Sequence, residues 1–315
     1  MNPTPEVTKK PTKAEVFRSR LISTLVMWGI TVGAFLSGSP WMFAALVLLL
    51  GGASVFEFGL MLKHNRVPRQ PFWGIFAPLA YLFALFLAAG LDFFPGALVI
   101  GVAGPVIAVL GTFIGILKQA IEGRRSLTEI GTTLIGFSYL GWLFGMSYFV
   151  LFVPWYRLTN GAQSEFALVP GAWLGMYLIG VTKFTDMGAY LTGSMIGKNK
   201  MIPHISPGKT WEGFFGALVF AQLIGFLFYY FKGAQLFGLE SIPMLIGMNF
   251  VIAILAVLGD LAGSVIKRAL EVKDASHALP GIGGIFDLID SLCFTAPALV
   301  IFLLLSSDDI ATFLL

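Results

Sequence analysis

Apolar residues in this chain run in long blocks. They do not alternate by two, as a half-buried strand would. Nine blocks are long enough to cross a bilayer, at about 21–38, 42–62, 73–91, 96–117, 131–154, 168–196, 212–231, 242–263 and 284–305. Each predicts a helix, because a segment in hydrocarbon must satisfy its own backbone polar groups. The expected fold is therefore all-α and polytopic, with about nine transmembrane helices. Residues 1–20 read as a mobile basic tail, 21–155 as an N-terminal set of helices and 156–315 as a C-terminal transmembrane region. Lys183 and Asp186 interrupt the sixth block, which reads as a broken or tilted helix.

The polar stretches between blocks set an orientation. The tail holds Lys9, Lys10, Lys13, Arg18 and Arg20. Further basic groups are Lys63, Arg66 and Arg69; Lys118, Arg124 and Arg125; Lys198, Lys200 and Lys209; and Lys267, Arg268 and Lys273. The alternate loops hold only Arg157 and Lys232. This alternation predicts a cytoplasmic N-terminus and cytoplasmic basic loops, as in a bacterial inner-membrane protein. The first block then reads as a retained signal anchor.

Composition agrees. The chain is 57% hydrophobic and 12% charged over 315 residues, with a mean hydropathy of +0.85. Soluble domains are about 45–50% apolar and about 25% charged. A cytosolic globule, a disordered chain and a disulfide scaffold are excluded. The net charge of +3 does not suggest nucleic-acid binding. The single cysteine, Cys293, sits in an apolar block and reads as a small buried hydrophobe.

The two halves differ in where acids fall. In the first five blocks Glu57 is the main intramembrane acid, and the glycines there suggest close helix packing. In the second half Asp186, Glu212, Asp260, Asp274, Asp287 and Asp290 lie in or beside blocks, next to the basic loops. A carboxylate at mid-membrane costs roughly 2.5–3.5 kcal/mol on insertion scales, so it must face protein, water or a cation. Carboxylates and cations grouped on one side of a membrane suit a metal-bound polyphosphate.

Two segments carry the detail. From Asp186 to Gly213 the chain leaves the sixth block and enters the seventh. Ser206 and Pro207 suit a helix start there, with Lys209, Thr210 and Glu212 in the first turns and free N–H groups aimed at a phosphate. The GKT triplet is not a Walker A motif, since Pro203 stands where that motif needs glycine. From Gly259 to Ser291, Asp260, Ser264 and Lys267 share one helix face. Asp287 and Asp290 are three apart and can point at one ion. Between the helix face and this acid pair, Pro280 to Gly284 reads PGIGG, a turn whose backbone can approach a ligand. His64, His204 and His277 show no metal-ligand spacing. No Ser/His/Asp grouping, HExxH, CxxC or dinucleotide fingerprint supports a peptidase or a redox enzyme.

The second segment resembles the signature of phosphatidate cytidylyltransferases, also called CDP-diacylglycerol synthases. That pattern runs S-x-x-K-R, then K-D, then PGHGG, then D-R-x-D-S. It is matched by Ser264, Lys267, Arg268, Lys273, Asp274, Pro280, Gly281, Gly283, Gly284, Asp287, Asp290 and Ser291. The first segment is similar to the family's D-x-GAY and SPKKTWEG elements, at Asp186, Gly188, Ala189, Tyr190, Ser206, Pro207, Lys209, Thr210, Trp211, Glu212 and Gly213. The match covers roughly residues 185–295. Ile282, Leu288 and Gly208 stand where the family has His, Arg and Lys.

The resemblance implies transfer of the cytidylyl group of CTP to phosphatidate, giving CDP-diacylglycerol and pyrophosphate. It implies Mg²⁺, with a second cation possible, and a site on the cytoplasmic side. Asp260, Asp287 and Asp290 are the expected metal ligands, with Asp274 a further ligand or an orienter of Lys267. Lys267, Arg268 and Lys273 are expected to bind phosphates, and Asp186, Ser206, Lys209, Thr210, Ser264, Gly283 and Gly284 to contact substrate. On this reading Asp287→Asn abolishes turnover without unfolding the protein. CTP, phosphatidate and membrane lipid are the expected partners, and a homodimer is left open. The rival readings are a CTP-dependent kinase or cytidylyltransferase for another lipid, and a membrane transporter.

Overall fold

A computed structural model of the chain describes residues 13–159 and 171–306, apart from positions 71, 92, 234, 235, 237, 277 and 280–282. The fold is helical. In chain order the helices are α1 (Lys13–Leu36), α2 (Pro40–His64), α3 (Ala77–Gly90), α4 (Phe94–Leu117), α5 (Arg124–Gly136) and α6 (Phe144–Thr159). They continue as α7 (Gly171–Ile196), α8 (Trp211–Lys232), α9 (Ile242–Ala269), α10 (Ile285–Ile289) and α11 (Leu292–Leu305). π-helical turns at 72–76 and 137–143 extend α3 backwards and join α5 to α6.

Seven stretches among the described residues are long and apolar enough to span a membrane by length and composition. They correspond to expected spans two to five and seven to nine. The protein is thus an integral membrane protein of α-helices. The first and sixth expected spans are α1 and α7, which fall outside that group. The apolar part of α1 is only Ile22–Leu36, and α7 carries Lys183, Asp186 and three threonines.

Two expectations need correction. The sixth span is not broken, since α7 runs without interruption through Lys183 and Asp186. Residues 1–12 of the expected tail lie outside the described ones, and α1 begins at Lys13. The other correction is local: within an all-α fold, a short hairpin stands where a helix start is expected. Strands β1 (Lys200–Ile202) and β2 (Ser206–Thr210) form an antiparallel hairpin between α7 and α8. Ser206 and Pro207 therefore belong to a strand. The helix starts later because Thr210, extended at φ −130°, caps α8 by accepting a hydrogen bond from the Gly213 N–H at 3.1 Å.

The core is apolar and spans both halves, from Phe58, Leu82 and Tyr148 to Phe286 and Leu299. α7 and α8 pack along their length, and α9 and α11 complete that bundle. α2 reaches across to α10, so the start of the last span rests on the N-terminal half.

Candidate active site

The site is built around α7, the hairpin, α9 and the α10–α11 junction. Each supplies charge. Lys183 and Asp186 sit one turn apart on α7, 3.5 Å from each other. Lys209, on β2, lies 2.5 Å from Asp260 of α9. Lys267, two turns further along α9, is ion-paired with Asp287 of α10. Asp290 has no lysine ion pair of its own among the described residues. It is 2% exposed and accepts from the backbone and hydroxyl of Ser291 at 2.7 and 3.3 Å. The Ser291 hydroxyl is also 3.2 Å from Asp186, so it bridges two carboxylates. Four carboxyl groups thus meet three ammonium groups.

Sequence explains each placement locally. α9 presents Gly259 and Gly263 to the α10–α11 junction. A Cβ on Gly263 would lie 2.8 Å from a carboxylate oxygen of Asp290, so glycine is what lets Asp290 lie against the helix. Gly283 has φ +120°, a region side chains rarely adopt, and it precedes the cap of α10. There Asp287 reaches back to accept from the Gly284 N–H at 2.9 Å and from Ala275 N–H at 3.2 Å. Glu212 fastens the other edge, accepting from the Asn199 side chain at 2.7 Å.

A polar cavity of about 490 Å³ opens among these elements. Asp186, Ser206, Lys209, Thr210 and Asp260 line it, together with Tyr190, Ser194, Lys200 and Phe214. Asp186 lies ten residues before the end of α7, roughly 15 Å of helical rise. The cavity therefore reaches well into the depth of the spans. Burial disfavours the Lys209 charge, but Asp260 and Asp186 more than offset it and hold the ammonium above its ordinary range.

The other expected site residues lie outside the cavity wall. Lys267 is 8% exposed and committed to Asp287. Arg268 ties the hairpin to α9, donating to the carbonyls of Ile205 at 3.3 Å and Val272 at 3.1 Å. Lys273 and Asp274 are exposed, and Asp274 does not orient Lys267. Ser264 is half-buried on α9. Pro280, Gly281, Ile282 and His277 are outside the described residues. The three acids expected to share one ion do not converge, because both oxygens of Asp287 are taken by Lys267 and backbone N–H groups. No group of three or more His, Cys, Asp or Glu residues forms a metal cluster among the described residues.

Sequence reasoning undervalued the N-terminal half. Glu57 of α2 is 5% exposed, and its carboxylate accepts from the Ser276 hydroxyl at 2.5 Å, Ile285 N–H at 3.0 Å and Phe286 N–H at 2.8 Å. It caps α10 from outside. The Tyr139 hydroxyl, in the π-helical turn, lies 3.2 Å from the Gly259 carbonyl and 3.3 Å from that of Asp290. A lone acid in an apolar block was the available signal for Glu57. Tyr139 had none. Lys183 was visible as an intramembrane cation but was not assigned to the site.

Comparison with known proteins settles the class. The cytidylyltransferase family model matches residues 18–306. The chain belongs to the cytidylyltransferase family. It is a CTP-dependent nucleotidyltransferase. The uncharacterized protein YnbB of Escherichia coli (strain K12) is 31% identical over 286 residues, 88% of this chain and 84% of its own. A phosphatidate cytidylyltransferase of Bacillus subtilis (strain 168) is 30% identical over 269 residues, 84% of this chain and 90% of its own. One from Haemophilus influenzae is 40% identical over a shorter stretch of 127 residues, 40% of this chain and 44% of its own.

Proposed function

We propose that this protein transfers the cytidylyl group of CTP to phosphatidate, giving CDP-diacylglycerol and pyrophosphate. The observation that carries this reading is the polar cavity, lined by the Lys209–Asp260 pair and sunk among spanning helices. A water-soluble polyphosphate and a lipid headgroup can meet in such a place. The alternating basic loops support a cytoplasmic opening in a bacterial inner membrane.

The chemistry asks little of the protein beyond placement and charge. The phosphate of phosphatidate has a second pKa of about 6 and is largely a dianion at neutral pH. One of its oxygens attacks the α-phosphorus of CTP. The bond from that phosphorus to the bridging oxygen of the β-phosphate breaks, and pyrophosphate leaves with the electron pair. No proton need be removed from the nucleophile. The work is neutralising two polyanions and aligning them. Lys209 and Lys200 are placed to receive polyphosphate oxygens, with the Ser206 and Thr210 hydroxyls beside them. Tyr190 and Phe214 offer aromatic faces at the same wall.

Mg²⁺ in nucleotide sites takes one or two carboxylates plus substrate phosphates, with no need of an all-protein cage. The donors present fit that mode. Asp260 and Asp290 would hold the ion, and it would supply charge neutralisation at the phosphates. Asp287 is not among these ligands.

The test is turnover by purified protein with phosphatidate and CTP labelled at either the α- or the γ-phosphorus. Expected are α-label in lipid and pyrophosphate in equal amount, both abolished by EDTA. Transfer of γ-label to lipid, with CDP released, would make the protein a kinase and overturn the proposal.

A further inference from the structure

A second cavity, of about 400 Å³, lies on the other side of the Lys183–Asp186 pair. Its wall is apolar and comes from α1, α2, α7 and the last span, with Met27, Trp28, Leu50, Phe184 and Leu288 among the lining residues. Lys183 and Asp287 mark its polar end. Asp186, one turn along α7, lines the polar cavity instead. The two spaces are thus separated by one ion pair, with its cation facing the apolar side and its anion facing the polar side. Burying an ammonium group among apolar side chains is costly without strong acceptors. Among the described residues Lys183 has two, the Leu288 carbonyl at 2.6 Å and Asp186 at 3.5 Å. A lysine ammonium carries three N–H donors, so one remains for a ligand.

We propose that Lys183 binds the phosphate monoester of the lipid substrate, while the apolar cavity takes its glycerol and the first part of its acyl chains. The inference rests on the reading above that the acceptor is a lipid phosphate. Three features fit it. Two of the lining segments, α2 and the last span, are long and apolar enough to cross a membrane, and the apolar part of α1 lies beside them, so acyl chains reach this cavity without crossing water. A dianion entering here exchanges bilayer surroundings for an ammonium group. Held there, it lies one helical turn from the residue that faces the polar cavity, where the CTP phosphates are proposed to sit. The Leu288 side chain adds apolar surface at the same end, which leaves the positive charge to Lys183.

Two measurements test this. The first uses wild-type protein in lipid nanodiscs, without CTP, and phosphatidate carrying a diazirine near the glycerol end of one acyl chain. Photolysis followed by peptide mass spectrometry is expected to place adducts on Met27, Trp28 or Met187, a further residue of the cavity wall on α7. Excess phosphatidate should compete them away, and diacylglycerol should not. Adducts on other helices, or equal competition by diacylglycerol, would overturn the proposal. The second is the steady-state kinetics of Lys183→Gln. Loss of a charge-assisted contact should raise the KM for phosphatidate about tenfold or more, leave the KM for CTP within about twofold, and be largely rescued by Lys183→Arg. An unchanged lipid KM, or a change confined to CTP, would overturn it. If the wild type shows no cytidylyl transfer yet gives the expected competed adducts, the proposed reaction fails and the lipid-phosphate site stands.

Discussion

Glu57 and Asp290 are both nearly excluded from solvent, yet they sit in opposite kinds of surroundings. Glu57, from the N-terminal helices, faces fixed donors: two backbone N–H groups and one hydroxyl. Nothing in that set is mobile or charged, so the contact holds a shape. Asp290, from the C-terminal helices, lies in a cluster where Asp186, Asp260 and Asp287 pair with lysines and Ser291 bridges two of the acids. Lysine side chains can exchange a carboxylate for a phosphate. One half of the molecule therefore positions, and the other half is equipped to bind. The boundary is not absolute. The Lys267–Asp287 pair lies in the C-terminal half but is buried and caps α10, which places it with the positioning groups.

That assignment is the sharpest place to attack the comparison. Asp287→Asn should lose about 3–5 kcal/mol of stability, because it leaves Lys267 buried and unpaired. Thermal unfolding in detergent would read it. A folded, fully stable but inactive variant would return Asp287 to the metal ligands of the sequence-based expectation. Asp260→Asn is the counterpart. Its carboxylate faces the cavity, so turnover should fall about 10²–10³-fold, with the unfolding midpoint much less affected. Equal loss of stability in both variants would erase the distinction. Glu57→Ala should cost about 3 kcal/mol by leaving the Phe286 and Ile285 N–H groups without their acceptor. Its kcat should fall with little change in either KM, as a positioning group requires.

Gly263→Ala probes the contact between α9 and the α10–α11 junction. The added carbon meets Asp290 at 2.8 Å, so a loss of about 1–3 kcal/mol is expected, with lowered activity. The smallest effect concerns pH. The Lys209 pKa is raised above its ordinary 10.5 by Asp260 and Asp186 against the opposing effect of burial. The pair's contribution to stability is then full below the unfolded value and lost as pH climbs through the folded one. Stability attributable to Lys209 should be flat across the neutral range and decline only in strong alkali. Lys209→Met should remove that alkaline decline, as seen by comparing unfolding curves at rising pH.

Much of the fold was legible because membrane helices announce themselves. Twenty apolar residues in a row leave the backbone few alternatives, and seven of the expected blocks coincide with helical stretches long and apolar enough to span a membrane. The charged cluster was legible for the same reason: an acid in an apolar block has to be accounted for. The errors came where short-range rules compete. Ser206–Pro207 suits a helix start as well as a strand, and only pairing with Lys200–Ile202 decides between them. Asp287 and Asp290 share a spacing that permits a common ion, but spacing does not say that Lys267 reaches Asp287 first.

The amino-acid sequence alone therefore determined the class of solvent, the helical architecture, the family signature and the set of charges that the chemistry needs. Those follow from local composition and from costs each segment meets by itself. Only the tertiary structure decided which carboxylate meets which lysine, which of them line the cavity, and that Glu57 and Tyr139 hold the signature in place. These depend on contacts between residues far apart in the chain, as with Glu57 and Phe286, 229 positions apart. No local pattern encodes that meeting. It arises when α2 and α10 pack against each other in one core.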